Sequence, residues 1–273
     1  MSNCKIGILG SFGLHDSRLL DNTTHELVET RYGIVEAVVG ELNGSEIVHM
    51  TRSGSRHPLP PHAVNYRANM LAFAQLGVTD VITTAMAGSL RASIPVGTLL
   101  LLDQFIDFSK TRPSTAFDDD DFVFMDFSTP YCPTLRSKLL SVAEDAGIGI
   151  TASGCYVGVE GPRYETAAEV RMFNILGGDI VGHTAVTDCI MAREVGLCIA
   201  TIAGVVNLGA GISKELLSAN VFLDARDRNL EKIRLLISSF VGRHDSSHFH
   251  KNCSCGKQVR DERQTQKINL QQE

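Results

Sequence analysis

The chain has 273 residues, 25 Lys and Arg against 31 Asp and Glu for a formal net charge of −6, and a composition that is 44% hydrophobic and 21% charged with no Trp. This is a soluble globular balance, and its acidic sign argues against a sequence-independent nucleic-acid binder. Apolar runs such as Thr98–Leu102 fall far short of the about 20 residues needed to cross a bilayer, and the opening MSNCKIGILGSFG has neither a secretory nor an arginine-rich transit pattern. A cytoplasmic enzyme with no membrane or nucleic-acid partner is the expectation. Seven Cys, odd in number and scattered, suit a reducing compartment without a disulfide framework.

In chain order, β-branched runs predict strands at Lys5–Leu9, Ile34–Val39 and Glu46–Met50. Apolar residues at helical spacing over Ala63–Leu76 predict a helix that stops at Gly77. Strands follow at Asp80–Thr84 and Thr98–Asp103, then a helix at Pro133–Ala146 before Gly147, and a strand at Cys155–Val159. A helix over Glu165–Leu176, a short strand at Ile180–Val181, a helix over Asp188–Val195, a strand over Leu197–Val206 and a helix over Asn220–Val241 complete the set. The alternation specifies an α/β fold with a mixed, largely parallel central sheet flanked by helices. Such sheets collect chemistry beyond the carboxyl ends of their strands, here Gly10–His15, Thr51–His57, Thr84–Arg91, Glu160–Glu165, Gly182–Asp188 and Asn207–Ser213.

Residues 1–242 therefore read as one domain, and 243–273 as a polar tail without apolar periodicity, too poor in burial to offset the entropy of ordering. The tail carries His244, His248, His250, Cys253 and Cys255, all metal-ligand types. C-x-C with irregular His spacing matches none of the usual structural zinc patterns, so no metal is expected, and the cysteines receive no role.

The segment YVGVEGPRYETAAE (Tyr156–Glu169) carries the first chemical signal. A strand turns at a Gly-Pro corner and leads into a helix, placing Tyr164 and Glu165 at the helix start. An aromatic face beside a carboxylate suits a planar heterocycle that stacks and donates an N–H. The competing reading is that Tyr164 packs in the core and Glu165 complements the helix dipole.

HPLPPHAVNYRAN (His57–Asn69), TTAMAGSLRASIPVGTLLLLDQFIDFSKTRP (Thr83–Pro113), TPYCPTLR (Thr129–Arg136), VEGPRYETAAE and GAGIS (Gly209–Ser213) follow one another in this order. Together they resemble the trimeric purine nucleoside phosphorylase and methylthioadenosine phosphorylase family, from about Lys5 to Val241. The resemblance implies a single-domain phosphorylase-like fold, a homotrimer with active sites at subunit boundaries, and no cofactor. The implied reaction is reversible cleavage of an N-glycosidic bond by inorganic phosphate, giving free base and ribose 1-phosphate. A ribosyl cation-like transition state then requires stabilisation of charge on the leaving purine and an anionic nucleophile held near C1′.

The resemblance maps the base contacts onto Asn207, donating to N7 or O6, and Glu165, accepting the N1–H that only a 6-oxopurine carries. Adenine-specific relatives carry Ser in place of Glu165 and Asp in place of Asn207, so the resemblance implies hypoxanthine or guanine. Tyr164, Ala85, Met86 and His183 fall at substrate-binding positions. Ala219–Phe222 and, from a neighbouring subunit, Phe124 give the 5′ end an apolar lining that favours 5′-methylthioinosine or a deoxynucleoside over inosine. The alternative for Phe124 is an interface residue without a substrate contact.

The phosphate set departs from the family. Arg52 and Thr184 match, but the first loop reads GSFGL, with Phe12 at the usual hydroxyl position and Ser11 before it. Ser53 replaces a His, Ala85 a Thr or Asn, and His183 a Met, while Val186-Thr187-Asp188 replaces Val-Pro-Glu. Each lost neutral donor weakens anion binding by about 1 kcal/mol. Two readings stay open for an enzyme: Ser11, Arg52, Ser53 and Thr184 still hold phosphate, or water replaces it with His183 or Asp188 as general base in a nucleosidase. A nucleoside-binding protein without turnover is a third reading. The catalytic candidates are Asn207, Glu165 and His183.

Overall fold

The β-branched runs assemble into a ten-stranded mixed sheet in a computed structural model that describes residues 5–10, 20–54, 59–118, 122–213, 219–243, 253–259 and 261. The strands are β1 (Lys5–Gly10), β2 (Asp21–Thr30), β3 (Gly33–Leu42), β4 (Ser45–Thr51), β5 (Val78–Ser89), β6 (Leu99–Leu101), β7 (Gln104–Phe108), β8 (Cys155–Val159), β9 (Ile180–Gly182) and β10 (Cys198–Leu208). The order is β2-β3-β4-β1-β5-β9-β8-β7, with β10 pairing both β5 and β6. Parallel pairing joins β1 to β4 and β5, β5 to β10, and β8 to β7 and β9. The central strands β5 and β10 are buried almost throughout, as near-continuous apolar runs covered on both faces must be.

Among the described residues the cover comes from α1 (Tyr66–Gln75), α2 (Pro133–Asp145), α3 (Ala167–Ile175), α4 (Ala185–Glu194) and α5 (Ala219–Gly242). On one face Met70 and Phe73 of α1 and Met191 of α4 pack with Leu9 and Val81. On the other, Leu135 and Leu139 of α2 and Ile233, Ile237 and Phe240 of α5 pack with Ile8 and Ile82. Neighbouring sheet residues thus serve opposite cores, the period of two expected of strands. Each such fully buried side chain contributes about 1.5–3 kcal/mol of transfer free energy before entropy is counted.

Several boundaries differ from the sequence expectation. β5 runs on to Ser89, so Ala85 and Met86 sit in a strand and not in a loop. The helix expected from Glu165 begins at Ala167, because Thr166 caps it: its side chain accepts from the Glu169 N–H while Glu169 reaches back to the Thr166 N–H. α4 begins at Ala185, one turn before Asp188. Two strands, β2 and β7, were not expected. β2 pairs antiparallel with β3, and β3 with β4 through Asn43-Gly44, both at positive φ as a tight two-residue hairpin turn requires.

The tail also differs. Within 253–259, Cys255 and Val259 are buried, and the residues from 255 form a helical turn seated close to Gly196. The expectation of an unstructured tail from 243 onward therefore fails for this segment, which sets its cysteines against the body of the domain. His244, His248 and His250 lie outside the described residues.

Candidate active site

The ends of β4, β5, β9 and β10 and the corner after β8 surround one cavity of about 610 Å³. Arg52, Ser53, Met86, Tyr164, Glu165, His183, Thr184 and Asn207 all line it. Strand ends of a largely parallel sheet converge there, so residues far apart in sequence share one wall.

Asn207 stands just after a register shift in the β10–β5 pairing, and its Nδ2 donates to the Leu208 carbonyl at 3.0 Å. Its partner residue Gly88 makes this possible, since a Cβ there would lie 2.9 Å from Asn207 Nδ2. Across the cavity, the corner after β8 is bent at Gly161, with φ +65°, followed by a cis Gly161–Pro162 peptide bond. A side chain at Gly161 would strike the His183 ring at 2.8 Å. The bend presents Glu165 ahead of α3, with its side chain only 9% exposed. Glu165 Oε1 is buried without a hydrogen-bond partner among the described residues; the nearest opposite group, His183 Nε2, is 3.5 Å away, beyond an ordinary hydrogen bond. Tyr164 is 50% exposed, so it is no core residue. Glu169, and not Glu165, is the acidic residue of the first helical turn.

The opposite wall holds a buried ion pair. Arg52 Nε donates to Asp188 Oδ2 at 2.7 Å and Nη2 to the Thr84 carbonyl at 2.9 Å, while Asn69 of α1 donates to the Arg52 carbonyl. Burial pushes the Asp188 carboxyl up from its ordinary range, and Arg52 pulls against it. Thr184 is the N-cap of α4, yet its side chain makes no capping bond. Its N–H donates to the Tyr156 hydroxyl at 3.3 Å, and Gly182 leaves room for that hydroxyl. Burial raises the Tyr156 pKa to about 12, keeping the phenol neutral.

Arg112, a residue the sequence reading did not single out, organises the corner. Nη1 donates to the His183 carbonyl and, at 3.1 Å, to the Tyr66 hydroxyl; Nη2 donates to the carbonyls of Val159 and Glu160; Nε pairs with Glu160 at 3.1 Å. Partial burial would raise the Glu160 pKa, but the N–H groups of Lys110 and Thr111 and the Arg112 guanidinium outweigh it and bring it to about 2. This residue lies inside the quoted stretch ending at Pro113, but a lone arginine near a predicted strand end carries no pattern that separates a hub from a surface charge.

Most of the sequence-derived site converges. Ala85 is buried in β5 beside Met86 and does not line the cavity. Phe124, 77% exposed, packs edge-on against Phe122 and is likewise absent from the cavity wall of its own chain. Ser11 and Phe12 lie outside the described residues. Phe222 of α5 and Leu59, Pro60, Pro61 and Val64 add an apolar wall, of which only Phe222 fell within the expected 5′ lining. Asp188 is fully buried in its pair with Arg52 and does not reach the cavity, which removes it as a general base. Among the described residues, the expectation that no metal-ligand arrangement exists meets a cluster of Cys132, Cys198, Cys253 and Cys255, none of which lines the cavity.

Residues 5–242 match the family model described as the phosphorylase superfamily. A probable 6-oxopurine nucleoside phosphorylase of Moorella thermoacetica is 42% identical over 253 residues, 92% of this chain and 96% of its own. A 6-oxopurine nucleoside phosphorylase of Pyrococcus furiosus is 40% identical over 244 residues, 87% of this chain and 92% of its own. Among solved structures, methylthioadenosine phosphorylase from Schistosoma mansoni in complex with adenine superposes with a TM-score of 0.88 at 26% identity, covering 96% of this chain and 99% of the other. The matched residues run from β1 to the end of α5: this chain belongs to the phosphorylase superfamily.

Proposed function

We propose that this protein is a purine nucleoside phosphorylase that cleaves the N-glycosidic bond of 6-oxopurine nucleosides with inorganic phosphate. The observation that carries the reading is Glu165 Oε1, a buried carboxylate oxygen without an internal hydrogen-bond partner among the described residues, in the same cavity as the Asn207 amide. A buried acceptor left unmatched is costly unless a ligand donor meets it, and N1–H of hypoxanthine or guanine is such a donor. Adenine lacks it. The names of the 6-oxopurine relatives support the same choice.

In the reaction, a phosphate oxygen forms the bond to C1′ as the C1′–N9 bond breaks and its electron pair passes to the purine. Asn207, one N–H of which is held by the Leu208 carbonyl, uses its remaining amide capacity at N7 or O6 to stabilise that charge. Tyr164 stacks against the base from the cavity mouth. Arg52, Ser53 and Thr184 hold phosphate at the other end, with Ser11 from the first loop, and no cofactor takes part. His183 Nε2 faces Glu165, which favours a role in orienting the base-binding carboxylate over activation of water. The wall formed by Leu59, Pro60, Pro61, Val64 and Phe222 supports an apolar 5′ end that accepts 5′-methylthioinosine. The assembly is a homotrimer in which Phe124 reaches a neighbour's 5′ end, since its ring is exposed and lies off its own cavity. The cytoplasm is the compartment in keeping with the free cysteines; among the described residues no helix is long and apolar enough to cross a membrane.

Base release from inosine, 5′-methylthioinosine and adenosine, with and without phosphate, tests the reading. Phosphate-dependent formation of hypoxanthine, with adenosine disfavoured by at least about 10²-fold, is expected. Free ribose formed without phosphate would establish a nucleosidase instead, and tight binding without any product a non-catalytic nucleoside-binding protein.

A further inference from the structure

We propose that Cys132, Cys198, Cys253 and Cys255 bind one zinc ion as a tetrathiolate, stapling the C-terminal segment to the domain. The four Sγ atoms lie within 4.8 Å of one another, with Cys132 and Cys198 each near Cys253, at 3.4 and 3.2 Å. Zinc–sulfur bonds of about 2.3 Å in a tetrahedron place sulfurs about 3.8 Å apart, within the spread seen here. The sulfurs come from three separate segments: the start of α2, the start of β10, and the tail, which is 121 residues from Cys132 and 55 from Cys198. A backbone bond from the Cys132 N–H to the Ile199 carbonyl, 2.8 Å, fixes the two body cysteines side by side before the tail arrives.

The surroundings suit thiolates. Cys132 is the N-cap of α2, and its sulfur accepts the Leu135 N–H at 3.5 Å at the positive end of that helix. The Cys255 N–H donates to Cys253 Sγ at 3.4 Å. Arg193, buried in the body, donates to Gln258 Oε1 of the tail at 2.8 Å, a further tie between the tail and the domain. Zinc rather than a hard cation follows from four soft sulfur donors. Binding needs no oxidant or reductant: each thiol gives up its proton to solvent and the ion accepts a sulfur electron pair.

The site also accounts for a packing puzzle. Apart from the cysteines, Val259 is the only buried apolar side chain among the described tail residues, too little by itself to hold a polar segment against the entropy of ordering. One metal joining two tail ligands to two body ligands closes that deficit.

The test uses the full-length chain, purified under reducing conditions without a histidine tag. Metal analysis should find about one zinc per chain, falling below about 0.1 in the Cys253→Ser/Cys255→Ser double variant, while inosine turnover stays within about twofold because neither residue touches the cavity. Cobalt added to the reduced, metal-free chain should give the intense visible bands of a tetrahedral thiolate site, absent from the double variant. Zinc retained by the double variant, another metal in stoichiometric amount, or reduced chain that takes up neither zinc nor cobalt would overturn the proposal. So would a parallel preparation made without reductant that, when denatured, lacks four of its seven thiols, which would assign the cluster to disulfides.

Discussion

The two walls of the cavity treat their charges in opposite ways. On one, Arg52 is met by Asp188 and Thr84 within the protein, a pair whose side chains are 3% and 0% exposed. On the other, Glu165 keeps a buried oxygen without an internal partner among the described residues. A charge satisfied by its own fold is an element of stability, and one left for a ligand is an element of selectivity. The charge on the wall assigned to the anion is therefore met within the folded chain, whereas the wall assigned to the base keeps an acceptor unmatched among the described residues.

Substitutions separate these roles. Arg52→Met leaves Asp188 buried without its cation, and about 3–5 kcal/mol of stability should be lost, read as a lowered urea midpoint together with a raised KM for phosphate. A variant as stable as the parent would mean that the pair contributes nothing to the fold. Glu165→Ala should do the reverse. Turnover of inosine falls about 10²-fold in kcat/KM while thermal stability scarcely changes, because Oε1 has no hydrogen bond to lose among the described residues. Comparable loss of folding stability in both variants would erase the distinction between the walls.

A smaller effect concerns the corner that carries Glu165. Glu160 has its pKa brought from 4.5 to about 2, so its contribution to stability is full above pH 4.5 and fades as pH falls through 2. Glu160→Gln should be less stable than the parent at neutral pH, and the gap should close across that acid window in urea titrations. A gap of constant size from pH 6 to pH 2 would show that Glu160 acts by shape and not by charge.

How far the sequence reaches differs between elements. The buried strands β1, β5, β8 and β10 were legible because their β-branched runs are covered on both faces, which leaves a continuous apolar signal. β2 was not: DNTTHELVET is exposed at nearly every position, so neither composition nor alternation marks it, and only pairing with β3 makes it a strand. The helix after the Gly-Pro corner was legible, but its start was misplaced by two residues because the capping pair Thr166 and Glu169 decides it. Asp188 had the chemistry of a general base and lost it to Arg52, a partner 136 residues away.

Composition, periodicity and motif order by themselves determined an α/β chain, its main strands and helices, and the residue types gathered in the cavity, since local hydrophobic patterning and turn chemistry act over a few neighbouring residues. The tertiary structure alone decided which of those groups are satisfied internally and which are left open. It also brought Cys132 and Cys198 to the tail cysteines, so that C-x-C, uninformative as a motif, became half of a four-sulfur cluster. The physical reason is range: propensity is set by adjacent residues, whereas desolvation, ion pairing and ligand geometry depend on what the folded sheet places alongside.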